Sequence, residues 1–562
     1  MTSILIDRTD GLAAAAAIKG PCRVATTANI SLMGLQTIDG VSVVATDRVL
    51  VKEQTDASEN GIWVVDTGPW RRSKDFSRNK EVVSGSTVYV TTGTVNGDVY
   101  FNVDTANPID VGTTDIEFVQ AVASAAQGLL AETALQPSVR NRYAEFPECI
   151  TGGVTDNLSI IQAAINSAVD LGTNNVQLPP GTFALSDYLE ISTTGFSIVG
   201  SGKGITTLVM TASEKSGLLV KSADGSPLYD ITLKDFSITI ADAYADAATN
   251  CVGLDFENVA GAYIDVDITQ FGVFLKLAGC FDIKTFGITS QGFQLTPNNR
   301  RIIYVTKATA PYGGAYGGNI YFFGCDLRTR GNTVGAGVSK ILHCDAVDGL
   351  FFVGCYLGYA ATHAAHIEKV GDFISGVKFL GCWFDTWSGT GVVFDGTGGT
   401  NGDCSVIACH FFGGGDTVRN LAIQGDWGDV QVNSNIIGSA ESDSILVQTT
   451  GQNIQIVGNT IRDSDSDNAG GGEGINVADT AGLLIANNVI KGGGYTDNGI
   501  AVAAGSRVQI TGNQIRGCVT GILTSGTLDQ YMITGNMVLD NSFANINDTA
   551  SGATKLVSGN LS

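Results

Sequence analysis

The chain has 562 residues, 72 of them glycine, only 15% charged residues and a formal net charge of −23. That length exceeds what one compact core sustains, and glycine stands at about twice its usual share with charge well below it, so an elongated repeat of turns and buried strands is expected rather than helical bundles. The negative field repels nucleic-acid phosphates and anionic membranes, and argues mildly against a highly acidic glycan ligand unless local basic clusters offset it.

In chain order, Asp7 and Asp10 precede a short Ala13–Ala17 run that lacks the basic start and the length of a secretory or membrane segment, so no membrane insertion is expected. Residues 1–120 form the first expected domain, where alternating apolar positions, among them Val43, Val49, Val51, Trp63, Val65, Val88 and Val90, predict a small β-rich module. Its segments Arg23–Ile30, Gly34–Gly40, Asp47–Lys52 and Glu59–Trp63 resemble the N-terminal domain of phage tail-fibre and tailspike proteins. The resemblance implies a module that joins a spike to the virion, with phage tail or baseplate proteins as partners. Cys22 and Cys149 fall where that family pattern does not call for cysteine; they are free thiols or, alternatively, form interchain or spike-to-tail disulfides.

Residues 121–145 are expected to be a neck. Ala121–Gln136 is alanine-rich, carries Leu129, Leu130 and Leu135, and is closed by Pro137. It resembles the neck helices of trimeric spikes, and so short a helix is marginal in water without partners, which points to a homotrimer. About 157–171 reads as an amphipathic helix with Ile160, Ile161, Ala164, Ile165 and Val169 on one side, placed to cap the open first rung of a repeat. With Leu178–Phe183 and Phe196–Gly202 it resembles the opening segment of pectate-lyase-like β-helix proteins. The resemblance covers about 146–562 and implies a mainly β fold, a right-handed parallel β-helix; that superfamily hosts lyases, glycoside hydrolases and phage tailspikes, so the fold does not fix a reaction.

The repeat itself is apolar at −3, small at −1, Cys or Asn at 0 and apolar at +2. The zero positions are Cys325, Cys355, Cys382, Cys409, Asn435, Asn459, Asn488, Asn513, Asn536 and Asn560, spaced 30, 27, 27, 26, 24, 29, 25, 23 and 24 residues apart. All twenty −3 and +2 positions are apolar against a hydrophobic content of 44%, which chance does not produce. A drifting period of this length belongs to stacked coils whose strands pair one turn above and below at about 4.8 Å. A buried Asn column can hydrogen-bond along the stack, glycine at −1 in seven of ten rungs permits a sharp bend, and the four stacked cysteines read as core thiols. The eleven cysteines show no metal-finger spacing and the four histidines are scattered, so neither a metal nor another cofactor is expected.

If positions 0 and +2 point inward, +1 and +3 point outward. The +1 column is Asp326, Tyr356, Trp383 and His410, the +3 column is Arg328, Gly358, Asp385 and Phe412, and Arg462, Lys491 and Arg516 follow below. Aromatic faces for sugar C–H surfaces and forked polar groups for hydroxyls are what glycan recognition needs, so Arg328, Tyr356, Trp383, His410 and Phe412 are candidate glycan contacts. The same composition also suits a trimer interface. Asp326 and Asp385, two rungs and hence about 10 Å apart along the axis, are a candidate inverting pair. Glu368, near His363 and His366 on a loop between rungs, is a third catalytic candidate. Asp463, Asp465, Asp467 and Glu473 lie in an acidic run that partly resembles a calcium loop but departs from it at Asn468; a solvated turn is the other reading. The chain stops two residues after Asn560, so no sizeable C-terminal domain is expected. Together these features predict a virion protein acting at the bacterial surface on a polysaccharide that it binds, with depolymerisation, as glycosidase or lyase, left open; the alternative is an architectural fibre that anchors other receptor-binding proteins.

Overall fold

The computed structural model describes residues 18–121, 150–212, 215–241, 251–292, 300–308, 317–329, 340–370, 372–398, 400–413, 418–464, 470–494, 496–552 and 554–562. The chain divides into two compact units, 1–136 and 137–562. The expected neck falls almost wholly outside the described residues, as does Cys149.

The first unit is β-rich. Val24–Ala25 runs parallel to Arg48–Val51, which forms an antiparallel pair with Gly61–Val64; a second sheet joins Thr87–Val90, Val99–Val103 and Phe118–Gln120. The alternating valines at 43, 49, 51, 65, 88 and 90 are buried, because strand alternation sends every second side chain into two small cores. Asn60 is buried and locks the hairpin, its Oδ1 accepting from Gln54 N–H at 3.0 Å and its Nδ2 donating to the Ile116 carbonyl at 2.8 Å. Arg72 stacks over Trp63 at 4.8 Å. Cys22 is a fully buried free thiol, and burial pushes its pKa up to about 12.

The second unit is a parallel β-solenoid. The helix Leu158–Asp170 lays Ile161, Ala164, Ile165 and Ala168 into the same continuous core as the first strands. Each coil then contributes to three sheets. The first sheet contains the −3 residues, with Phe322, Phe352 and Phe379 in register and their rings 4.5 and 5.3 Å apart. The second follows the ladder residue and stacks Asp326–Thr329, Tyr356–Ala360, Trp383–Trp387 and His410–Phe412. The third stacks Arg301–Thr306, Lys340–Cys344, His363–Val370, Thr390–Thr397 and Arg419–Gly425.

Between the first and second sheets the chain bends sharply. All ten residues at −1, including Ala408, Ser434 and Asn487, have φ between 54° and 71°. A Cβ on Gly324, Gly354, Gly381 or Gly535 meets nothing within 4 Å, so glycine is there for its positive φ and not for space. Behind the bend the ladder runs continuously. Each Asn Nδ2 donates to the next coil's Asn Oδ1 at 2.9–3.0 Å from Asn435 to Asn560. It also donates to the −3 carbonyl of the preceding coil, as Asn488 does to Ile456 at 2.8 Å. The same Oδ1 accepts the ladder backbone N–H of the coil before, as Asn488 Oδ1 does from Asn459 at 2.9 Å. In the cysteine coils a thiol stands in for the amide: Cys355, Cys382 and Cys409 reach the carbonyls of Phe322, Phe352 and Phe379 at 3.3–3.4 Å, and Cys409 Sγ also accepts the Cys382 N–H at 3.4 Å.

Two substitutions test this arrangement. Asn488→Ala removes the side-chain partners of the Ile456 carbonyl and the Asn459 N–H and thins the amide ladder on both sides, and is expected to cost about 3 kcal/mol. Ala408→Gly removes left-handed strain and is expected to gain about 0.5–1 kcal/mol. Urea unfolding midpoints measure both.

Candidate functional site

The second sheet brings the outward residues into one strip. Asp326, Tyr356, Trp383 and His410 are successive backbone partners, as are Arg328, Gly358, Asp385 and Phe412. Trp383 and Phe412 are 44% and 58% exposed, enough to offer ring faces to a ligand. Trp383 lies 4.5 Å from the His410 ring. The polar members are tied together: Arg328 pairs with Asp326 and stacks over Tyr356 at 5.1 Å, and the Tyr356 hydroxyl donates to Asp385. Partial burial and that bond to Asp385 push the Tyr356 hydroxyl pKa upward, so it stays a donor. Arg328 and Tyr356 thus stand between Asp326 and Asp385, and each carboxylate already has a donor. Further down, Arg462, Lys491 and Arg516 are in register and exposed.

The third sheet holds two clusters. Glu368 sits on the strand His363–Val370, which corrects its expected place on a loop. The histidines are not scattered either: His343 and His366 are backbone partners on adjacent coils, and His363 lies 5.0 Å from His366, ring to ring. His343 Nε2 lies 2.8 Å from Glu368 Oε2, with Lys340 at 3.6 Å from the same oxygen. Burial dominates the imidazoles and drives His343 down to about 3 and His366 down to about 4. Burial works to raise Glu368, but the His343 hydrogen bond, with His366 and Lys340 close by, more than offsets it and holds the carboxyl low.

The second cluster is a carboxyl pair. Asp443 is 2% exposed and accepts from Arg419 Nε at 3.1 Å and from Asn476 Nδ2 at 3.1 Å. Glu473 lies beside it, accepting from Asn498 at 3.3 Å and from Asn476 at 3.4 Å. Burial first, then the bond to Asp443 and its charge, push Glu473 up to about 8. A carboxyl that holds its proton at neutral pH beside one paired with arginine resembles the arrangement of a general acid next to a second carboxyl. Glu473 lies beside Asp443, its N–H donating to Asp443 Oδ1 at 3.4 Å; Asp465 and Asp467 of the acidic run lie outside the described residues.

Residues 388–560 match the family model described as NosD, periplasmic copper-binding protein. No curated protein matches the chain. Among solved structures, the tailspike protein of E. coli bacteriophage HK620, as a double mutant in complex with a pentasaccharide, is similar at TM-score 0.56 and 12% identity over 72% of this chain and 77% of that one. The pre-mature gene product 12 of bacteriophage phi29 is similar at TM-score 0.50 and 14% identity, over 76% of this chain and 58% of that one. These likenesses show a shared parallel β-solenoid.

The Glu473 pair predicts a pH dependence. Its folded pKa of about 8 lies above the ordinary 4.5, so the folded state holds the proton more tightly. The stability from that proton is full below about pH 4.5 and declines as pH rises towards 8. Glu473→Gln is expected to flatten this decline and to raise the melting temperature at pH 8, as thermal unfolding from pH 4 to 9 measures.

Proposed function

We propose that this chain is a phage tailspike or tail-fibre protein, trimeric through its neck and attached to the virion by its N-terminal unit, whose β-solenoid recognises a bacterial surface polysaccharide. The observation that carries this reading is the strip on the second sheet. Exposed Trp383 and Phe412 offer apolar faces to pyranose rings, while Arg328, Tyr356, Asp326 and Asp385 form an ordered polar network beside them. A pre-ordered network loses little side-chain entropy when a hydroxyl replaces solvent. The HK620 tailspike, described with a bound pentasaccharide, supports the reading on the same fold.

A second reading, hydrolysis of the bound polysaccharide, is favoured by the Asp443–Glu473 pair. Glu473 keeps a proton at neutral pH for a leaving oxygen, and Asp443 is paired with Arg419 at 3.1 Å. Asp326, Asp385 and Glu368 are the alternative acid/base groups; all three are engaged with donors in the unliganded protein.

Purified capsule, O-antigen and exopolysaccharide from candidate hosts test both readings. Binding by calorimetry is expected, weakened about tenfold by Trp383→Ala and by Arg328→Ala, a loss of about 1.4 kcal/mol each. New reducing ends that vanish in Glu473→Gln while binding persists support hydrolysis there; loss in Asp326→Asn or Asp385→Asn instead moves the chemistry to the second sheet. No binding across the panel overturns the receptor reading in favour of an architectural fibre.

A further inference from the structure

We propose that His343, His366 and Glu368 form a binding site for one divalent transition-metal ion, with zinc the ion that best fits the donors. One ligand atom from each of the three lies within 4.8 Å of the others. A tetrahedral ion with bonds of about 2.1 Å holds its donors roughly 3.4 Å apart. The separations from Glu368 Oε2, 2.8 Å to His343 Nε2 and 3.8 Å to His366 Nδ1, bracket that value. Small rotations of Glu368, 35% exposed at its side chain, adjust both without moving a strand.

The buried imidazoles supply an independent reason. His343 and His366 are 6% and 8% exposed, yet Nδ1 of His343 and both ring nitrogens of His366 have no hydrogen-bond partner. A buried polar atom without a partner costs about 1–3 kcal/mol, and coordination removes that cost at His366 Nδ1, the nitrogen that faces Glu368; His343 ligates through Nε2, so its Nδ1 gains nothing from the ion. His366 Nε2 also lies 3.8 Å from Asp395, beyond hydrogen-bond distance, and the Asp395 side chain, 44% exposed, has room to approach and orient a ligating imidazole. Two imidazoles with one carboxylate are a borderline-soft set that suits zinc, cobalt or nickel, whereas calcium and magnesium require mostly oxygen.

The positive groups facing the site oppose the ion. Lys340 lies 3.6 Å from Glu368, and Arg301 stands one coil above Lys340 in the same column. An incoming ion displaces Lys340, whose side chain is 20% exposed and has solvent to move into.

The test uses the full-length chain, stripped by a chelator and dialysed. Cobalt(II) serves as the spectroscopic probe and zinc(II) as the calorimetric one. One ion per chain is expected, with visible cobalt absorption that zinc quenches and a higher melting temperature with either metal. Glu368→Gln and His366→Ala should each weaken zinc binding at least tenfold, and Lys340→Met should strengthen it several-fold by removing the competing charge. Should His366→Ala fail to fold, Glu368→Gln decides, because its carboxylate reaches solvent. Absence of stoichiometric binding to the wild type, or unchanged affinity in Glu368→Gln, overturns the site. The result does not depend on whether the second sheet binds glycan.

Discussion

The solenoid depends on how it satisfies two backbone groups at one bend. Where the chain turns from the first sheet into the second, the ladder residue's N–H leaves the strand ladder, and both it and the carbonyl three residues before it are met by side chains of the next coil, in the buried interior. Leaving either unpaired is expensive. The asparagine coils resolve both with one side chain: Nδ2 serves the carbonyl on the preceding coil, and Oδ1 serves that coil's N–H. The cysteine coils resolve the carbonyl with a thiol, a weaker donor, and coincide with Phe322, Phe352 and Phe379 in the core. At the junction Asn435 Oδ1 accepts the Cys409 N–H at 2.8 Å, so the two kinds of coil meet without a break in the ladder.

Because this bend pins the register, surface residues acquire neighbours that sequence distance conceals. Arg328 and Tyr356 meet because their strands begin one residue after successive ladder positions. His343 and Glu368, or Asp443 and Glu473, meet for the same reason on another face. The scaffold supplies rigidity, and the chemistry is written in side chains that the core does not need.

The fold is legible in the sequence because the ladder side chain has few substitutes. Only a small donor fits at position 0 and only apolar residues fit at −3 and +2, so ten coils repeat one pattern. The strip on the second sheet is legible too, since Asp326 and Tyr356 keep the 30-residue spacing of Cys325 and Cys355. The third sheet is not. Over the same coil its partners His343 and His366 are 23 residues apart, because the connection between sheets differs in length from coil to coil. A period taken from one sheet misplaces residues on another, which is why the histidines look scattered and Glu473 looks like part of a local acidic loop. In the first unit, alternation identifies the buried valines, whereas the role of Asn60 as a polar latch rests on Ile116, 56 residues away.

The asymmetry of the ladder gives the molecule a direction. Each ladder residue reaches back to the preceding coil for its donor contact but waits for the following coil to receive its own N–H. The bend of any coil is thus complete only when the next coil lies in phase: a following coil shifted by one residue presents the wrong side chain to that N–H and leaves it bare, so the ladder penalises register slip at every step.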